Sequence, residues 1–262
     1  MTRPSLHSLI AEIEKQNQSA ALCTVTESKG STPRHVGSKM IVYPDGRIAG
    51  TVGGGDLEHR VIDEALSAIA EGKARKLHYN MIDPARGDPG VCGGQVEVFV
   101  EPILPNPTAI VIGAGHVGKA VAHLAKWLGF RVIVSDDRAE FCNADVTPGG
   151  DEYLAVKMSE LASRITIDRY SYLILTTRGS SVDAEGLPAL LETDAAYVGV
   201  IGSKRRWAET KKLLIAQGID PALVDRVHSP IGLEIHAETP EEIAVAIMAE
   251  IIRKRQTIND EP

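Results

Sequence analysis

Cysteine is scarce in this chain, and the little there is does not cluster. Among 262 residues only Cys23, Cys92 and Cys142 are cysteines, widely spaced, with no CxxC pair and no Cys/His cluster. This excludes a disulfide scaffold and argues against a structural zinc site. There is no HExxH and no GxSxG elbow, so zincin and α/β-hydrolase chemistry lack their residues. Cationic excess is missing too. The formal net charge is −7, which argues against a nucleic-acid or anionic-membrane partner. No apolar run approaches the roughly 20 residues that span a bilayer. The opening "MTRPSLHSLIAEIEKQ" has no apolar core of a signal peptide; Leu6, Leu9, Ile10 and Ile13 are spaced for an amphipathic helix. A cytoplasmic location is expected.

What is present is ordinary globular material: 44% apolar and 24% charged residues, enough for two modest domains. Pro102, Pro105 and Pro107 in "VEPILPNPTAIV" separate two differently patterned halves, which predicts domains over 1–104 and 105–262. The first half mixes β-rich runs (20–28, 38–43, 47–52, 74–82, 95–101) with an amphipathic run through Leu57, Val61, Ile62, Leu66 and Ile69 that Gly72 closes. A small α+β domain is expected. The second half alternates apolar strands with helices and reads as a Rossmann-like, doubly wound parallel sheet, so the chain as a whole is α/β. It ends in "ETPEEIAVAIMAEIIRKRQ", where Thr239 and Glu242 form a capping box around Pro240. That helix is apolar on several faces, so it is either buried or a subunit contact, and a homodimer is expected.

Several stretches carry chemistry. Gly113-Ala-Gly115-His116-Val117-Gly118 follows a strand and opens a helix, and Asp136 ends the next strand. This is the dinucleotide fingerprint: turn, close approach to pyrophosphate, helix–strand packing, and an acid for the ribose. Asp136 favours NAD over NADP, and Arg138 weakens that preference. "GAGHVGKA" is not a P-loop, because Ala120 replaces the hydroxyl that holds magnesium. Thr177, Arg178, Gly179 and Asp183 of "TTRGSSVD" lie beyond a strand on the ligand-binding edge, as do Ser203, Lys204 and Arg205 of "IGSKRRW". In the first half, Gly53, Gly54 and Gly55 precede a helix bearing Glu58, and the loop "ESKGSTPRHVGSKM" holds Arg34, His35 and Lys39. Both suit an anion; a plain turn accounts for the first equally well, and a solvated loop accounts for the second better. Cys92 stands among Gly87, Gly90, Gly93 and Gly94, a setting that presents a thiol.

In combination these stretches resemble the XdhC/CoxI-type family. The resemblance runs through "GSTPRHVGSKM", "GTVGGGDLE", "VCGGQVEVFVEP", "IGAGHVGKAVA", "TRGSSVD", "IGSKRRW" and "SPIGLEIHAETPEEIAVAI" over nearly the whole chain. It implies a maturation factor that binds molybdenum cofactor (a pyranopterin), helps exchange an oxo for a sulfido ligand, and inserts the product into an apo molybdenum hydroxylase of the xanthine dehydrogenase type. A cysteine desulfurase is the implied sulfur source. Cys92 matches the family's cysteine before Gly-Gly and is the residue implied to ligate metal or carry sulfur. The chain departs from the pattern at Ser180 and Val182, where many relatives carry histidines, and at His236, where glycine is common. Val91 also replaces a second cysteine that some relatives have. Two alternatives stay open on the residues alone. One is an NAD(P)-dependent oxidoreductase whose first domain binds substrate; the other is a nucleotide-sensing regulatory module.

Overall fold

The computed structural model describes residues 4–81, 88–90 and 93–260, the last five by backbone alone. The chain divides into two compact units, Met1–Pro105 and Asn106–Pro262.

In the first unit, alternating apolar residues put one face of each strand under a helix. An antiparallel sheet of order β3-β2-β1-β5-β4 is built from β1 (Ala20–Lys29), β2 (Lys39–Val42), β3 (Ile48–Gly50), β4 (Arg75–Asn80) and β5 (Gln95–Ile103). On one face lies α2 (Gly55–Glu71). Its Leu57, Val61, Ala65 and Ala68 are fully buried against Cys23, Val25, Met40, Val98 and Val100. Each large apolar side chain so buried contributes on the order of 1.5–3 kcal/mol. Gly72 ends α2 in the left-handed conformation (φ 68°), as its position after the periodic run predicts. The amphipathic α1 (Leu6–Lys15), capped by Ser5, covers part of the opposite face through Ile13 against Ala20 and Ile41. Lys29 pairs with Gln95 and Thr24 with Lys39, so the loops before β2 and β5 leave the sheet at one end.

The second unit is a parallel sheet of order β11-β10-β9-β6-β7-β8. In chain order its strands are β6 (Thr108–Ile112), β7 (Arg131–Ser135), β8 (Glu152–Leu154), β9 (Ser171–Leu175), β10 (Tyr197–Val200) and β11 (Val227–His228). This is the strand order of a Rossmann fold, with its reversal between β6 and β9. Every residue of β6 and β9 is buried, because helices cover both faces. On one side lie α3 (His116–Trp127) and α8 (Pro240–Asp260). On the other lie α4 (Leu161–Arg164), α5 (Ser180–Leu191), α6 (Lys204–Ala216) and α7 (Pro221–Asp225).

The capping box of α8 forms: Thr239 Oγ1 accepts from Glu242 N (3.2 Å) and Glu242 accepts from Thr239 N (3.0 Å). Its Ala244, Ala246, Ile247, Met248 and Ile251 are buried inside the second unit, leaving Val245 exposed. The apolar excess behind the expected homodimer is therefore absorbed by the helix's own unit. Buried Glu250 of α8 accepts from Tyr197 Oη (3.0 Å) and from Gly232 N, which moors the "SPIG" segment. Burial alone would raise the Glu250 carboxyl, but His228, Gly232 N and Tyr197 hold it below the usual range. His236 sits at φ 58°, the left-handed region that favours glycine.

Candidate functional site

The turn between β6 and α3 uses its three glycines for three different reasons. A Cβ on Gly113 would lie 2.7 Å from the carbonyl oxygen of Thr176, and one on Gly118 would collide with the carbonyl oxygen of Gly113. Gly113 is fixed by packing and by its φ of 104°, Gly118 by packing alone. Gly115 caps α3 at an ordinary φ of −73°, and a Cβ there would meet nothing within 4 Å. Neither dihedral nor neighbour demands glycine at this position. The space beside it is what a phosphate needs in order to reach the free N–H groups of the helix end. The exposed His116 and the half-buried Val117 begin the helix.

Asp136 is buried at the end of β7 with both oxygens engaged. Oδ2 accepts from Ala114 N (2.8 Å) and Arg138 Nη2 (2.9 Å), and Oδ1 from Arg138 N and Nε (both 2.9 Å). A carboxylate offers about four lone-pair positions, and here all are taken. Burial would raise this carboxyl, but the Arg138 guanidinium and the two amides outweigh it and hold its pKa at about 2. Arg138 also stacks over Phe141, 4.2 Å from the ring centroid. The fingerprint acid thus braces the glycine turn and presents an arginine, and a ribose hydroxyl would have to displace one of these donors.

The two motifs beyond β9 and β10 bind one another. Arg206 donates to Thr177 O (3.1 Å), Thr177 Oγ1 (2.8 Å) and Asp183 Oδ2 (2.6 Å), and Thr177 Oγ1 donates to Asp183 Oδ1. Asp183 is fully buried, so the sequence expectation that it meets a ligand is corrected: it anchors this clasp. Ser203 spends its hydroxyl on capping α6 through Arg206 N (3.2 Å). The exposed Arg178 pairs with Asp137 (2.6 Å), while Gly179 caps α5 with open space around its α-carbon. Arg206 gave no individual signal in the sequence, because its partners lie 23 and 29 positions away on other elements.

A cavity of about 400 Å³ opens at the strand ends, lined by Gly113, Gly115, Asp136, Arg138, Thr177 and Arg178 of the expected residues. It adds Ser135, Val156–Ser159, Glu185 and Gly186, which carry no motif in the sequence, and Val182 of "TTRGSSVD". Ser203, His116, Val117 and Gly179 do not line it. Among the described residues two buried side-chain polar atoms lack partners, Ser135 Oγ and Arg206 Nε. The first belongs to the cavity wall; the second packs against Gly202.

In the first unit three glycine loops meet at one end of the sheet. A Cβ on Gly53 would lie 3.0 Å from Pro33, and one on Gly30 3.2 Å from Gly93 O. Gly54, Gly55 and Gly93 have no neighbour where a Cβ would stand. Glu58, expected to meet a ligand, instead accepts from Thr51 Oγ1, Val52 N (3.3 Å) and Gly54 N (3.3 Å), so it fills the turn's own anion seat. Lys39 Nζ bonds Thr24 Oγ1 (3.0 Å). It shares the strand face of Ile41, on the side opposite α2. Arg34 remains exposed on the loop, its carbonyl accepting from Thr32 Oγ1 (3.0 Å).

Cys92 lies outside the described residues. Of the other two thiols, burial pushes Cys23 up to about 12 and also raises Cys142, whose Sγ donates to Val134 O (3.3 Å). Both are packing residues. Among the described residues no group of three or more His, Cys, Asp or Glu side chains is placed to hold a metal.

The family model for the "XdhC Rossmann domain" matches residues 109–251, more than half of the chain, and that for the "XdhC and CoxI family" matches 13–80. The chain belongs to the XdhC family. It is 36% identical over 245 residues to YqeB of Escherichia coli (strain K12), covering 93% of this chain and 45% of that protein. A protein of Bacillus subtilis (strain 168) named as a probable xanthine dehydrogenase subunit is 34% identical over 161 residues, covering 62% and 47%. The molybdenum cofactor insertion chaperone PaoD of Escherichia coli (strain K12) is 23% identical over 266 residues, covering 90% and 83%. The chain therefore spans about half the length of the first two relatives. A crystal structure described as a xanthine dehydrogenase from Bacillus halodurans shares the fold, with a TM-score of 0.51 at 22% identity over 95% of both chains. Within the XdhC family frame, the Rossmann match covers the glycine turn, the clasp and the cavity, and the other covers Arg34, Gly53–Gly55 and Glu58. Among the described residues no helix is long and apolar enough to cross a membrane.

Proposed function

We propose that this chain is a maturation factor for a molybdenum hydroxylase of the xanthine dehydrogenase type. It binds molybdenum cofactor in the first unit and delivers it to the apoenzyme. The observation that carries this reading is the meeting of three glycine loops with Gly54, Gly55 and Gly93 unobstructed, a surface against which a bulky phosphorylated pterin can lie without meeting side chains. Family membership and a relative named as a molybdenum cofactor insertion chaperone support it. Arg34, on the loop that meets these glycines, supplies the phosphate with a cation. Cys92 supplies the soft thiolate for metal or sulfur.

Sulfuration follows on the same reading. A cysteine desulfurase delivers persulfide sulfur, the oxo ligand leaves as water, and two thiols of an external reductant are oxidised to a disulfide to balance the electrons. The test is to purify the chain from a molybdenum-replete host and assay molybdenum and oxidised-pterin fluorescence. Wild type should retain both, and Cys92→Ser should lose most of each and fail to reconstitute the apo-hydroxylase. Equal retention and equal reconstitution by Cys92→Ser would assign the thiol to packing. Absence of pterin from wild type would overturn the reading itself.

A further inference from the structure

The Rossmann unit has two mononucleotide-binding halves, and their strand ends differ. The cavity lies over the first half and the reversal point, floored by the ends of β6, β7, β8 and β9 and walled by α5. None of the residues that follow β10 or β11 lines it. There the polar groups are spent on the protein: Arg206 holds Thr177 and Asp183, Ser203 caps α6, and Ser229 Oγ donates to Val200 O (3.0 Å). In a fold of this strand order a dinucleotide crosses the reversal point and lays its second nucleotide over that side. Here the polar groups of that side are committed to the clasp and to helix capping.

From this asymmetry we infer that the second unit binds one nucleoside monophosphate moiety in its first half, without a second nucleotide. Gly115 leaves room for a phosphate at the amino end of α3. Ile112, Val156, Met158 and Val182 give a base apolar walls. With the lone pairs of Asp136 filled, a buried polar group still without a partner is the Ser135 hydroxyl, 1% exposed and part of the cavity wall. A buried hydroxyl without a partner is costly, and a ligand that bonds it removes that cost. The charged lining cancels: Asp136, Asp137 and Glu185 against Arg138, Lys157 and Arg178. With no net cationic field, one phosphate held by backbone N–H groups is favoured, and extra phosphates gain nothing.

Calorimetric titration of the full chain with AMP, CMP, GMP and UMP, beside NADH, NADPH and ATP, tests this. At least one monophosphate should bind with a dissociation constant below about 1 mM, and none of the larger ligands should bind tenfold tighter than the best monophosphate. A gain of about tenfold or more from the second nucleotide or the added phosphates would overturn the inference, and so would failure of all four monophosphates. Ser135→Ala removes a hydroxyl that bonds nothing in the protein, and should weaken the best monophosphate about fivefold at unchanged melting temperature. Gly115→Val projects into empty space and should weaken it by more than about tenfold. Unchanged affinity in either folded variant would overturn the assignment to this cavity. Failure of the first unit to carry a pterin would leave all these titrations as they are.

Discussion

The glycine turn at 53–55 and the glycine turn at 113–118 look alike in sequence and are held by different physics. In the Rossmann turn the outer glycines are pinned by neighbours, since Thr176 O and Gly113 O stand where their side chains would be, and Gly113 adds a dihedral of 104°. In the first unit's turn, Gly54 and Gly55 have open space and are held to glycine by dihedrals of 79° and 61°. Each turn is braced by a carboxylate of its own unit, Asp136 on Ala114 N and Glu58 on Val52 N and Gly54 N. One residue letter therefore serves three purposes: contact, dihedral and, at Gly115, vacancy.

Four substitutions separate these cases, the largest first. Gly118→Ala drives a methyl into backbone and should destabilise the second unit by about 3 kcal/mol or more. Both tryptophans, Trp127 and Trp207, belong to that unit, so the urea midpoint of their fluorescence reads it alone. An unshifted midpoint would dissolve the distinction between pinned and free glycines.

Asp136→Asn should cost about 2 kcal/mol at neutral pH. The folded pKa of about 2 lies below the ordinary 3.8, so the wild-type advantage is full above the ordinary value and fades as pH falls through about 2. Denaturation midpoints of wild type and variant should converge in that acidic window; a gap independent of pH would mean the carboxylate charge is not what braces the turn.

Glu58→Ala, which leaves two amides and a hydroxyl of the first unit's turn without their acceptor, should cost about 1.5 kcal/mol. Hydrogen exchange at Val52 and Gly54 should quicken, while that at Ala114 stays put. Smallest is Gly55→Ala. With nothing to strike, it should lose only the left-handed penalty of about 1 kcal/mol, measured by thermal melting. A loss as large as that of Gly118→Ala would show that a hidden contact, and not the dihedral, selects glycine there.

The Gly72 stop and the α8 capping box were legible because each is a local pattern whose partners lie within one turn of chain, and the glycine fingerprint because its spacing is fixed within six residues. The parallel sheet was legible because β6 and β9 are buried on both sides and read as unbroken apolar runs. What sequence could not show was which way polar groups are spent. Glu58 follows its glycines as a ligand contact would, yet it turns back on them. Lys39 precedes three consecutive buried residues, so alternation gives no hint of its face. Asp183 and Arg206 sit on α5 and α6, and their pairing exists only after the sheet brings those helices together. The short β8 and β11, of three and two residues, carry too little periodicity to register. His236 gives the reverse lesson. Glycine is expected there from the family resemblance, and the backbone still adopts glycine's conformation with a histidine in place.

The burial of Cys23 and Cys142 has a consequence for the bench. Both sulfurs are buried, and burial also raises both thiols, so neither is presented to alkylating or disulfide reagents. Of three cysteines in the chain, two are thus silent while it stays folded. Any label that the native wild-type protein takes up therefore reports on position 92.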